Sequence, residues 1–129
     1  MSDRSSGLRV LVVDDNRGTV EILTDLLTAQ GWEVAGALSG TECLEKVQQE
    51  NFDVVMLDIM MPDPNGFEVC QRLKAAHPRL PVVFLTALGE ERYRRLGKIV
   101  AGDGYITKPV RKDELVSTIL KVTRPEPSE

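Results

Sequence analysis

Cysteine, histidine and aromatic side chains are scarce in this chain of 129 residues, which holds two cysteines, one histidine and 5% aromatics. Cys43 and Cys70 stand far apart in helix-like segments, with no Cys-x-x-Cys pair and no His/Cys cluster. That spacing excludes structural zinc and dithiol chemistry and leaves two buried, reduced thiols as the expected reading. The lone His77 precedes Pro78 at a helix end and is expected to be exposed and inert. No apolar run approaches the ~20 residues of a membrane span, and the polar start Met1 to Gly7 lacks the apolar centre of a secretory signal. A cytoplasmic location and no membrane contact are therefore expected. The net charge of −4 argues against direct nucleic-acid binding by this chain.

What is present is the pattern of an ordinary globular domain, 42% hydrophobic and 28% charged. Residues 8–123 are expected to fold as one domain, between a flexible segment 1–7 and a polar, proline-containing stretch 124–129 that is either a flexible tail or the start of a linker. Strand-like and helix-like segments alternate five times. The strands read as Val10 to Val13, Val34 to Leu38, Asp53 to Asp58, Val82 to Leu85 and Tyr105 to Lys108. Helical spacing runs through Thr19 to Gln30, with Val20, Leu23 and Leu27 on one face and Gly31 as a stop. Ser39-Gly-Thr-Glu42 has capping-box spacing and opens a second helix with Cys43, Leu44 and Val47 inward. Gly66 to Ala76, Gly89 to Val100 and Arg111 to Val122 complete a predicted set of five helices. Trp32 is expected to cover core after the first helix. Near-continuous apolar strands alternating with helices mean a parallel sheet covered on both faces. The predicted fold is a doubly wound α/β domain with a five-stranded parallel sheet, flavodoxin-like, strand order 2-1-3-4-5.

The strand ends carry the chemistry. The first run stops at Asp14-Asp15, the third at Asp58, the fourth at Thr86 and the fifth at Lys108-Pro109. Each has a plain reading alone: Asp15 or Asn16 as a helix cap, Asp58 as a turn residue, Thr86 as a β-former, Lys108 as a solvated charge. In the predicted order, however, strands one and three are neighbours at the switch point, where open sheets of this kind bind ligands. Three carboxylates in one crevice repel, raise at least one pKa and call for a cation. A hard divalent ion, Mg²⁺ or Mn²⁺ in its place, relieves this and draws in a phosphoryl donor, with Lys108 as a second positive charge. An aspartate can then carry the phosphoryl group as an acyl phosphate.

The motifs LVVDDN, DIMMPDPNG, FLTAL and YITKP, in this order and spacing, resemble those of the receiver domains of two-component response regulators, over about Leu8 to Val122. The resemblance implies that Asp58 accepts a phosphoryl group from a phosphohistidine of a sensor histidine kinase or a histidine phosphotransfer protein. It implies Mg²⁺ held by Asp15, Asp58 and the backbone carbonyl of Met60, with Asp14 acting through a water. It also implies Lys108, Thr86 and Ala87 on the phosphoryl oxygens, a cis Lys108-Pro109 bond, and Thr86 with Tyr105 as the switch. The implied readout face is the fourth helix, fifth strand and fifth helix, which would meet an output protein or domain as a monomer or a phosphorylation-dependent dimer. Such a protein is a signalling phosphoacceptor rather than an enzyme acting on other molecules, and it catalyses its own phosphorylation and dephosphorylation.

Some positions depart from the family pattern. Pro64 stands where an apolar residue is usual, Ala101-Gly102 replaces Gly-Ala, and Val110 replaces the common Phe. The positions that flank the attacking water are Met60 and Leu88, neither able to orient it, so slow self-dephosphorylation is expected. Arg92, Arg94, Arg95, Arg111 and Lys112 concentrate positive charge near the readout face, either as a solvated surface or as a docking patch for an acidic partner. Three other readings stand beside the first: a flavodoxin-like cofactor binder, which Asp14-Asp15-Asn16 would disfavour by repelling phosphate, a haloacid-dehalogenase-like phosphatase, which wants an acid where Met60 stands, and a degenerate receiver used as a scaffold.

Overall fold

The computed structural model describes residues 7–87 and 102–124. Five parallel strands form one sheet in the order β2-β1-β3-β4-β5: β1 (Arg9–Val13), β2 (Glu33–Ala37), β3 (Val54–Asp58), β4 (Val82–Thr86) and β5 (Gly104–Thr107). Helices α1 (Arg17–Thr28), α2 (Gly40–Gln49), α3 (Gly66–Ala76) and α4 (Lys112–Thr123) are the described ones. This is the predicted flavodoxin-like topology. The predicted helix Gly89 to Val100 lies outside the described residues, so α4 is the fifth helix of the sequence reading.

The inner strands β1, β3 and β4 are buried on both faces, with successive side chains pointing to opposite sides. Val10 and Val12 of β1 join Val54, Met56, Val83 and Leu85 beneath α1 and α4, while Leu11 and Val13 join Val55, Leu57 and Phe84 beneath α2 and α3. Val20, Leu23 and Leu27 are the buried stripe of α1, and Leu115 and Ile119 that of α4. Trp32 is in the first core, and Cys43 and Cys70 are buried cysteines in the second. Desolvation alone pushes Cys43 up to about 12; it also leads in holding Cys70 up at about 11, where Lys74 pulls the other way. Both thiols therefore stay protonated near neutrality, which suits packing rather than reactivity.

Helix starts follow their caps. Asn16 accepts a hydrogen bond from the Thr19 N–H, so α1 begins at Arg17, ahead of the first apolar position of its stripe. Ser39 caps α2 through the Glu42 N–H, but the Glu42 carboxylate turns to the Leu38 N–H (2.8 Å) and not to Ser39, leaving the expected capping box half made. The complete box is at α3, where Asn65 and Glu68 each accept from the other's backbone N–H at 3.0 Å. Gly31, with φ +89°, follows the end of α1. His77 caps the end of α3 and is exposed.

Leu27 is fully buried. Leu27→Ala should cost about 2–5 kcal/mol through lost transfer energy and a residual cavity. The urea midpoint should fall with an unchanged slope; a midpoint within error of wild type would show that the core closes over the gap.

Candidate functional site

At the carboxyl edge of the sheet, four of the five strands, β1, β3, β4 and β5, deliver polar side chains. Beyond β1, the Asp14 N–H continues the pairing to the Ala37 carbonyl at 3.2 Å, which keeps Asp14 down in the sheet, 1% exposed, while Asp15 turns out to solvent. One Asp14 carboxylate oxygen, Oδ1, accepts the Asn16 N–H at 2.9 Å. Since Asn16 does the capping, Asp15 is left with its carboxylate uncommitted to α1.

Asp58 is the last residue of β3 and is 4% exposed. The loop after it is held tightly. Ile59 N–H donates to the Leu85 carbonyl at 3.2 Å, and the Ile59 carbonyl accepts from both Met61 N–H (3.1 Å) and Gly66 N–H (3.0 Å). Gly66 fits here for lack of a side chain: a Cβ would collide with the Asp58 carbonyl and stand 2.7 Å from the Ile59 Cα. The Asn65–Glu68 box then fixes the entry into α3. Met60 itself is 52% exposed, with its backbone hydrogen-bonded to Asp58.

Lys108 follows β5, anchored by its N–H to the Thr86 carbonyl at 2.7 Å, and the Lys108-Pro109 peptide is cis. Its ammonium reaches Asp14 Oδ2 at 3.0 Å and Asp58 Oδ1 at 3.3 Å. Asp14, Asp15 and Asp58 each place a carboxylate oxygen within 4.8 Å of the others. Four side chains separated by up to 94 positions in sequence thus share one pocket. Burial first, and Asp14 second, push the Asp58 carboxyl up to about 6, with Lys108 and the Met60 N–H pulling the other way. For Lys108, burial pulls the ammonium down, but the two carboxylates outweigh it and the net direction is up.

Thr86 ends β4, 2% exposed, with its hydroxyl turned to the Ala87 carbonyl at 3.4 Å. Tyr105 stacks on Phe84 at 5.7 Å and 27° with its hydroxyl buried. Leu88 and Arg92, Arg94 and Arg95 lie outside the described residues, whereas Arg111 and Lys112 are exposed at the start of α4. Two features escaped the sequence reading. The Asn65-x-x-Glu68 spacing before α3 was a readable cap signal. The Lys74–Asp103 ion pair at 2.6 Å had no local signal, because it joins α3 to the approach of β5.

Residues 10–120 match the response regulator receiver domain, and the chain belongs to that family. It is 37% identical over 115 residues to the transcriptional regulatory protein CreB of Escherichia coli K12, covering 89% of this chain and 50% of CreB. To the probable transcriptional regulatory protein TcrX of Mycobacterium tuberculosis it is 36% identical over 115 residues, 89% of this chain and 49% of TcrX. The chain thus spans about half the length of the curated relatives it matches. Among solved structures, the Vibrio cholerae chemotaxis protein CheY4 superposes with a TM-score of 0.85 at 31% identity, over 89% of this chain and 98% of CheY4. A response regulator from Chloroflexus aurantiacus gives a TM-score of 0.88 at 28% identity, over 92% and 99%. The protein is a receiver domain of two-component signalling.

The raised carboxyl pKa has a definite stability sign. An Asp58 with a folded pKa near 6 against an ordinary 3.8 is neutral in both states at low pH. Its ionisation costs stability progressively between those values, and in full above 6. In metal-free buffer, Asp58→Asn should therefore raise the melting temperature, by an amount equivalent to at most about 3 kcal/mol at pH 7.5 and by much less at pH 4.5. A variant less stable than wild type at pH 7.5 would show that the Lys108 pairing outweighs the crowding.

Proposed function

We propose that this receiver domain, in the cytoplasm, takes a phosphoryl group from a phosphohistidine of a sensor histidine kinase or histidine phosphotransfer protein onto Asp58. The observation that carries this is the meeting of Asp14, Asp15 and Asp58 within 4.8 Å, with the Lys108 ammonium on two of them. An Asp58 carboxylate oxygen bonds to phosphorus as the donor's P–N bond breaks, its electron pair staying on the imidazole nitrogen. The product is an acyl phosphate. Phosphoryl transfer asks mainly for positioning and charge neutralisation. Lys108, already in hydrogen-bond contact with Asp58, is placed to follow the charge onto a phosphoryl oxygen. The Thr86 hydroxyl and Ala87 N–H, at the end of the neighbouring strand, are the donors for the remaining oxygens.

The oxygen donor set fits a hard divalent cation, Mg²⁺ or Mn²⁺. Both Asp14 oxygens already accept hydrogen bonds, from the Asn16 N–H and from Lys108, which suits contact through a water. Asp15, Asp58 and the Met60 carbonyl would hold the ion, which when bound offsets the carboxylate charge and that of the transferred oxygens.

Engagement of Thr86 by the phosphoryl group would be read by Tyr105, whose ring sits one strand away, and passed to the face of β5, α4 and the helix predicted from sequence over Gly89 to Val100. An output protein or domain docks there; the curated relatives are about twice as long and named as transcriptional regulatory proteins. The domain itself makes no direct contact with nucleic acid and works as a monomer or a phosphorylation-dependent dimer. It is a phosphoacceptor rather than an enzyme acting on other substrates, and its self-dephosphorylation is slow. Met60, half exposed beside Asp58, has no group to orient an attacking water.

Intact mass after treatment with acetyl phosphate and Mg²⁺ tests the assignment. Wild type should gain one labile phosphate, lost on chelation of the metal before treatment, and Asp58→Asn should gain none. Equal labelling of both proteins would move the acceptor elsewhere, and labelling of neither would leave a scaffold. Once labelled and freed of donor, the protein should keep most of its phosphate for minutes or longer; hydrolysis within seconds would contradict the role given to Met60.

A further inference from the structure

Behind the carboxylate pocket lies a crowded nest of aromatic rings. Phe84 is fully buried on β4, with Phe67 of α3 edge-on at 5.4 Å and 70°, and Tyr105 of β5 stacked at 5.7 Å and 27°. Phe84 and Tyr105 are direct partners in the parallel register, and Thr86 shares a face of β4 with Phe84. Gly102 closes the remaining side. A Cβ there would stand 2.5 and 2.7 Å from Cε2 and Cδ2 of Phe84 and 3.1 Å from the Tyr105 hydroxyl. The backbone at Gly102 is not in the left-handed region, the one positive-φ glycine among the described residues being Gly31. What the position requires is space.

The backbone at Gly102 is also unable to back away. Its neighbour Asp103 donates its N–H to the Val82 carbonyl at 2.8 Å. The Asp103 carboxylate accepts from the Val82 N–H at 2.8 Å and from Lys74 at 2.6 Å, and Lys74 donates to the Leu80 carbonyl at 2.8 Å as well. Gly102 is thereby pinned to the start of β4 and to α3. Of the two rings it faces, Phe84 is enclosed and Tyr105 is half buried, so Tyr105 is the one with a route outward.

We propose that Gly102 is a positioning residue for the Tyr105 switch: its missing side chain, held in place by the Asp103–Lys74 clamp, is what admits the ring to its inward seat. This rests on the reading of Tyr105 as the switch. A side chain at 102 would overfill the nest and drive Tyr105 outward.

The test uses ¹⁹F NMR of the full chain labelled with 3-fluorotyrosine, in a Tyr93→Phe background that leaves Tyr105 the single tyrosine. The inward and outward signals are told apart by their H₂O/D₂O isotope shift. Without phosphoryl group or mimic, the reference protein should show mainly the shielded signal. Gly102→Ala should shift the inward-to-outward ratio by about tenfold or more, the scale that an added methyl in a packed core exacts. Adding Phe84→Met should restore the inward signal by withdrawing the ring carbons. A Gly102→Ala spectrum like that of the reference protein overturns the proposal. Should Gly102→Ala not fold, the double variant must fold with Tyr105 inward; a double variant equally unfolded also overturns it. Beryllofluoride with Mg²⁺, as phosphoryl mimic, separates the two readings. If it changes the inward-to-outward ratio of neither protein while Gly102→Ala itself shifts that ratio, the switch reading fails and the control by Gly102 stands.

Discussion

Asp14 and Asp58, both buried, share a single ammonium, and Asp15 stands beside them at the rim. One positive charge against three negative ones leaves the pocket with an excess of two. Unit charges about 4 Å apart interact at roughly 4 kcal/mol in surroundings of intermediate polarity, so such an excess is felt as stability. Burial first, and the Asp14 charge second, push the Asp58 carboxyl up to about 6. The topology produces this crowding: parallel strands all end at one edge, so residues remote in sequence are brought together there whether or not their charges match. Lys108 prevents the pocket from being prohibitive but does not complete it. What completes it is a cation, and what then follows the cation is an anion. The reactivity of the domain is a consequence of that incompleteness.

The opposite edge of the sheet is arranged differently. Arg9 meets Glu33 at 3.0 Å and Glu50 at 2.5 Å, donates to the Asn51 carbonyl and lies over the Phe52 ring at 5.2 Å. Asp53 and Arg9 also exchange backbone and side-chain hydrogen bonds at 2.8 Å. One cation meets three carboxylates here too, but these groups sit near water, where single ion pairs contribute little. They tie strand starts to helix ends without needing any further partner. The contrast lies in burial: both edges set one cation against three carboxylates, and only the carboxyl edge holds two of them, Asp14 and Asp58, out of water.

What could be read from sequence divides along a physical line. The strands were legible because Val10 to Val13, Val54 to Leu57 and Val82 to Leu85 are apolar without interruption, which only burial on both faces explains. The meeting of Asp14, Asp15, Asp58 and Lys108 was legible because each follows or ends a strand-like run at the same edge of the sheet. Helix starts were less so, since Arg17 and Gly18 belong to α1 through the Asn16 cap and carry no apolar signal. Glu42 had the spacing of a capping box, yet its carboxylate found the nearer open donor at Leu38. The Lys74–Asp103 clamp and the fit of Gly102 against Phe84 were beyond reach, because their cause is a contact between segments and not a property of either.

That last contact bears on how the two ends of β4 communicate. Thr86 closes the strand at the pocket, and Phe84, two residues earlier on the same face, fills the nest in which Tyr105 is seated. The strand start is fixed through Val82 to Asp103, so β4 has little freedom to slide as a body. A charge arriving at Asp58 must then be expressed in side chains, at Thr86 and in the room around Phe84. Packed interiors respond to such a demand by exchanging one arrangement for another and not by deforming continuously. On the proposed reading Tyr105, half buried between a rigid ring and solvent, makes that exchange, and the space left by Gly102 sets which arrangement it starts from.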